Sequence, residues 1–194
     1  MTIKRFVLAA ATALTTALSA HAGIVTVSNN TPVTVCDLCT VTSTITYGSH
    51  LLLDDVNVSL FDLRHTWDSD LLIQLISPTG TLVTLSNRRG NSGENFINTV
   101  FDDEATVAVA GARAPFTGSY RPDARLSALD GQDAFGTWTL RVSDVTAFDN
   151  GRLNSWGLTF SGLSQDNQNV PEPASLALVG IALAGVGLAR RRKV

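Results

Sequence analysis

Residues 55–63 read DVNVSLFDL. Val56, Val58 and Leu60 fall on one side of an extended chain, with Asn57, Ser59 and Phe61 on the other. That period of two marks a strand with one buried face. The next residues, 64–71, read RHTWDSDL and place a histidine, a tryptophan and two aspartates within eight positions. Two readings compete for this cluster: an imidazole base oriented by carboxylates, or the end of the strand. Arg64 and His65 continue the alternation and Asp70 opens the next apolar run, so a structural role for His65 is the expectation.

The same pattern extends in both directions. TVTSTITY (40–47) alternates, and LLIQLIS and TLVTLS are short apolar runs around Ser77-Pro78-Thr79-Gly80, which predicts a hairpin. NRRGNSGEN (87–95) is a polar, glycine-bearing loop. GTWTLRVSD and GRLNSWGLTF are two further strands, joined across the turn signal Asp149-Asn150-Gly151. No amphipathic helix of useful length lies in residues 23–169, and there is no internal repeat. Short strands with turns every ten residues or so predict an all-β sandwich or jelly roll. Trp138 and Trp156 sit in apolar strands and are expected in the core. Trp67, at a polar turn, is either an exposed aromatic able to stack on a sugar or the edge of the core.

Both ends of the 194-residue chain read as addresses. Residues 1–22 carry Lys4 and Arg5, an apolar stretch and Ala20-His21-Ala22, the layout of a secretory signal peptide. Near the other end, Pro171-Glu172-Pro173 precedes 16 uncharged residues, 174–189, and then Arg190, Arg191, Arg192 and Lys193. As a helix those 16 residues would span about 24 Å, slightly short for a bilayer core. The basic cluster is a cytoplasmic stop.

Residues 23–169 hold 16 acids, 14 of them Asp, and 8 bases, all Arg. The resulting charge of −8 makes nucleic acid a poor partner. Aspartate-rich loops suit calcium, so Asp54, Asp55, Asp70, Asp102, Asp103 and Glu104, read as strand-end residues, are the candidate metal ligands. Asp70 with Asp102 and Asp103 would form one three-carboxylate site at one end of the sandwich. Cys36 and Cys39 are by default a disulfide in an exported chain. Free thiols, or metal or redox chemistry, are the other readings. Two thiolates cannot complete a zinc site, and the Thr- and Val-rich flanks are not those of a thioredoxin-like helix.

RHTWDSDL, SPTGT (77–81), FDDEA (101–105), PFTGSYRP (115–122), GTWTL (136–140) and GRLNSWGLTF (151–160) occur in this order. Together they resemble the P domain, or P/Homo B domain, that follows the catalytic domain of proprotein convertases and many bacterial subtilisin-like proteases. Ser69 departs from the glycine usual there. The resemblance implies a jelly-roll β-sandwich over residues 45–160, and a non-catalytic role stabilising an enzyme. The Pro-Glu-Pro, apolar stretch and arginine order resembles the PEP-CTERM sorting signal of Gram-negative bacteria. That implies signal peptidase and exosortase as processing partners, transient inner-membrane anchoring, and delivery to the cell surface or secretion.

The expected organisation is therefore a signal peptide (1–22), an N-terminal strand region with the cysteines (23–44), the P domain (45–160), a linker (161–169) and a sorting signal with a transmembrane helix (170–194). A Ser-His-Asp hydrolase needs a nucleophile turn, and no G-x-S-x-G or Gly-Thr-Ser turn occurs. The expected function is a non-catalytic interaction module at the cell surface or in the matrix, with exopolysaccharide as one partner. The alternative is an accessory that docks on a subtilisin-like protease, and the third reading is a hydrolase.

Overall fold

The computed structural model describes residues 22–165. Residues 1–21 of the expected signal peptide, the Pro171-Glu172-Pro173 motif and the apolar stretch 174–189 lie outside those residues. Among the described residues no helix is long and apolar enough to cross a membrane.

Ten strands form two sheets. The first contains β1 (Ala22–Asn29), β10 (Gly151–Ser164), β4 (Leu51–His65), β7 (Phe96–Phe101) and β8 (Phe116–Tyr120) in that order, with β2 (Val33–Val35) also pairing with β10. The second runs β3 (Thr40–Tyr47), β9 (Gly136–Asp144), β5 (Leu71–Ile76), β6 (Leu82–Asn87). All pairings are antiparallel except β7 with β8.

The alternation works as the sequence predicts. Val56, Val58, Leu60 and Leu63 from β4 and Leu153, Trp156, Leu158 and Phe160 from β10 are buried. They face Trp138, Leu140 and Val142 from β9 and Leu71, Ile73 and Leu75 from β5, also buried. Strand β4 keeps its apolar face inward over 15 residues because the register against β10 slips where Asp54 and Phe61 are each left opposite no partner. Such bulges restore phase after two consecutive outward residues.

Trp156 ties the two layers together. Its indole Nε1 donates to Ser43 Oγ on β3 of the opposite sheet at 2.8 Å. Trp138 donates to Ala134 O at 2.9 Å and packs on Phe160 with ring centroids 5.2 Å apart. Trp156→Phe keeps most of the apolar volume but removes the donor. It is expected to cost about 1–2 kcal/mol in urea unfolding, with an unchanged slope against denaturant.

Three details depart from the sequence reading. Asp54 and Asp55 lie inside β4, which begins at Leu51, and are not strand-end residues. Asp149-Asn150-Gly151 does not close a hairpin, because β9 and β10 belong to different sheets and the segment crosses between the layers. Residues 161–164, expected as the start of a linker, continue β10, with Ser161 opposite Ile24 on one side and Asp55 on the other. The polar surface of SGLS hides a strand whose inward residue, Leu163's neighbour Gly162, leaves no space for a side chain: a Cβ there would meet the Leu52 carbonyl oxygen at 2.1 Å.

Candidate functional site

The RHTWDSDL segment folds into the hub of one end of the sandwich. Strand β4 ends at His65, a 3₁₀ turn spans Asp68–Asp70, and β5 starts at Leu71. His65 is inward because it continues the alternation of Leu63. Asp144 is inward because it continues that of Trp138, Leu140 and Val142. The two side chains meet with His65 Nε2 3.2 Å from Asp144 Oδ2, both fully buried. His65 Nδ1 faces the Trp67 backbone, 3.2 Å from its N–H and 2.9 Å from its carbonyl oxygen. With the ring proton on Nε2, Nε2–H donates to Asp144 and the Trp67 N–H donates to Nδ1. Both nitrogens are thus engaged within the fold.

Asp144 carries the connection outward. Its Oδ1 accepts from Thr146 N at 3.1 Å, and its backbone N–H donates to Cys39 O at 2.9 Å. Cys36 and Cys39 are joined in a disulfide across a Cα–Cα distance of 5.5 Å. Asp70 O accepts from Val145 N, so three loops are stitched at this end.

Asp68 fastens the fourth. Its backbone N–H donates to Gly93 O at 2.9 Å and its Oδ1 accepts from Asn95 N at 2.8 Å. Gly90, at φ +101°, and Gly93 allow the NRRGNSGEN loop to close on it; a Cβ on Gly90 would sit 2.8 Å from Phe116 and 3.0 Å from Asp68. The second carboxylate oxygen of Asp68 is buried without a partner. Burial pushes the Asp68 carboxyl up to about 7, with the Glu94 charge adding to it and the Asn95 amide opposing it.

The acidic candidates divide between the two ends. Asp102 follows β7, whose Phe101 pairs with Val58, seven residues before His65 on β4. Asp70 sits beside the His65 end, so the two are separated by about 20 Å of strand. The expected site joining Asp70 to Asp102 and Asp103 is not formed, because chain direction sends their strand ends to opposite poles. Asp55, Asp102, Asp103 and Glu104 do gather, together with Asp130. Burial raises the Asp55 carboxyl, and Asp102 and Asp103 raise it further; a hydrogen bond with Asp102 raises Glu104. Burial also raises Asp130, reinforced by Asp55, Asp103 and Asp54. Both oxygens of Asp103 accept backbone amides, from Leu126 and Ser127, each at 3.0 Å, and Asp102 Oδ1 accepts Glu104 N at 2.8 Å. Asp102 and Asp103 act as turn caps, and among the described residues no group of three or more His, Cys, Asp or Glu is arranged to hold a metal ion.

Four apolar side chains stand out from the loops that carry the hub: Leu38, Trp67, Val145 and Phe148 are 62%, 43%, 42% and 97% exposed. Leu38 and Phe148 hold positive φ, 51° and 88°, which costs backbone energy for such residues. Phe148 N donates to Asp37 Oδ1 at 3.1 Å, which couples the two loops. Sequence reading singled out Trp67 alone, because Leu38, Val145 and Phe148 are scattered single residues until the loops converge.

The family model described as the proprotein convertase P-domain matches residues 53–160, and the PEP-CTERM protein-sorting motif matches residues 169–193. Leupeptin-inactivating enzyme 1 of Streptomyces exfoliatus is 33% identical over 106 residues, 55% of this chain and 17% of that protein. The Calcium-dependent protease of Trichormus variabilis is 29% identical over 96 residues, 48% of this chain and 12% of that protein. The chain spans less than a fifth of the length of either relative. Among solved structures, the Aeromonas sobria serine protease in complex with its chaperone matches with a TM-score of 0.48 and 21% identity, covering 73% of this chain and 27% of that one.

Proposed function

The chain belongs to the proprotein convertase P-domain family, and from that premise we propose that it is an exported module that binds a partner and cleaves no peptide bond itself. The observation that carries this reading is His65. The one histidine of the motif is buried with both ring nitrogens engaged, so it offers no general base to a substrate. The other described histidine, His50, lies on the surface with Nδ1 2.6 Å from Asp133 Oδ2. The converged loops with Leu38, Trp67, Val145 and Phe148 supply an apolar docking end, the kind of exposed group that marks an interaction surface.

The test has two arms. Casein incubated with the full chain should release no peptide; steady release lost in His65→Ala would overturn the proposal. A subtilisin-like protease from the same cells, retained by the chain but not by a Trp67→Ser, Phe148→Ser variant, would establish the accessory reading. That second reading is favoured by the similarity to the Calcium-dependent protease of Trichormus variabilis, of which the matched segment is 12%.

The sorting motif indicates export and membrane-associated sorting in a Gram-negative envelope. In our reading the mature chain starts near Gly23 and is cut near Pro171 after passing through an inner-membrane stage. Removal up to Ala22 would take only the first residue of β1, leaving its pairing from Gly23 with Gly162 onward. Intact mass of the surface-released protein checks this; an uncut 194-residue species there would sink it.

A further inference from the structure

A cleft of about 260 Å³ opens beside the hub, between the end of β4 and the start of β10, with Glu94 on the far wall. Its lining includes Arg64, Thr66, Asn150, Gly151 and Arg152. Apart from Gly151, every lining side chain is polar. The volume is small beside the roughly 300–1,000 Å³ of most small-molecule sites, so it suits a single ring of a longer ligand.

The two arginines are directly opposite one another across β4 and β10. Like charges in that position destabilise a sheet. A side-chain rack holds them there. Arg64 Nε donates to Asp62 Oδ1 at 2.9 Å, Asn154 Nδ2 donates to Asp62 Oδ2 at 3.0 Å, and Arg152 Nε donates to Asn154 Oδ1 at 2.9 Å. Asn154 reaches this position because it is the residue left unpaired at the β10 bulge. The Asp62 carboxylate therefore holds the Arg64 guanidinium directly and the Arg152 guanidinium through Asn154, each by its Nε edge. Their terminal Nη groups make no hydrogen bond to any described residue; the two guanidinium groups carry one charge more than Asp62 offsets, and Glu94 on the opposite wall makes no ion pair with either. A planar carboxylate matches that pair of forks.

The opposite wall argues for what else the ligand carries. Glu94 makes no hydrogen bond or ion pair among the described residues, and a second ligand anion near it would be repelled. Its carboxylate accepts from hydroxyls, and Asn150 adds donor and acceptor capacity. One carboxylate on a ring rich in hydroxyls satisfies both walls. The apolar groups that a protein partner would use, Leu38, Trp67, Val145 and Phe148, are not among the residues that line the cleft.

We infer that this cleft binds a hexuronate ring of an acidic polysaccharide, with the ring carboxylate on Arg64 and Arg152 and its hydroxyls toward Glu94 and Asn150. The site goes beyond the docking function proposed above and stands or falls separately, since it shares no residue with the apolar end.

The experiment is calorimetric titration of the full chain at low salt with trigalacturonate, with its methyl ester and with triglutamate. Trigalacturonate should bind, and Arg64→Gln and Arg152→Gln should each weaken it roughly 10- to 100-fold. Arg152→Lys should lose most of the affinity because an ammonium lacks the fork. Arg64 and Arg152 are exposed, so melting temperatures of the variants report whether the fold is intact, and a lysine variant that melts as the wild type keeps the test valid. Equal binding of the methyl ester, equal binding by the glutamine variants, or no binding of trigalacturonate would overturn the inference. A preference for triglutamate would make this a peptide site and overturn the sugar assignment.

Discussion

Replacing Asp144 by alanine is expected to destabilise the domain by about 3–5 kcal/mol, the usual cost of removing one partner from a buried charged or hydrogen-bonded pair. Asp144 and His65 are both fully buried and 3.2 Å apart. The truncation strands the Nε2–H of His65 where water does not reach, and it frees the Thr146 amide that Asp144 Oδ1 had satisfied. Asp144→Asn keeps the shape and a carbonyl acceptor, so it should cost about 1 kcal/mol. In thermal unfolding the alanine variant should melt more than ~10 °C lower. A variant that melts within a degree of the wild type would show that this contact contributes nothing to the fold.

Stability should also fall as pH rises from about 4 to 7, through Asp68. Its carboxyl is raised from the ordinary 3.8 to about 7 by burial first, then by the Glu94 charge. Between those values the folded chain keeps a proton that the unfolded chain releases. The folded state therefore binds more protons, and the Asp68 contribution is complete below about 4 and lost as pH passes 7. At about 1.4 kcal/mol per unit, a shift of this size corresponds to on the order of 4 kcal/mol across the window. The carboxyls of Asp55, Glu104 and Asp130 act in the same direction. Asp68→Asn cannot ionise, keeps the Oδ1 acceptor for the Asn95 amide, and should remove most of the slope. Urea unfolding at pH 4.5, 6 and 7.5 measures it. A wild type and an Asp68→Asn variant that depend on pH identically would exclude Asp68 as the cause.

The sandwich was legible in the sequence because its signals are local. DVNVSLFDL alternates without help from any other segment, and Ser77-Pro78-Thr79-Gly80 closes the β5–β6 hairpin between neighbouring runs. Trp138 and Trp156 could be assigned to the core from their apolar neighbours alone, and both are fully buried. The same alternation carried further places His65 and Asp144 inward, two buried polar side chains that each need a partner. That inference was open to sequence reasoning for each residue, but not for the pair. They are 79 positions apart and belong to different sheets.

What the sequence by itself determined is the β class, the inward face of β4, and the sorting motif at the end of the chain, because these depend on residues adjacent along the chain. Tertiary structure alone decided which loops meet. It sent Asp70 and Asp102 to opposite poles, since β4 is long enough to separate them. It set Arg152 opposite Arg64 and made Asn154 the bulge residue that links them to Asp62, and it drew Leu38, Trp67 and Phe148 to one end. Those juxtapositions follow from strand order and register between segments far apart in the chain, where no local periodicity specifies the partner.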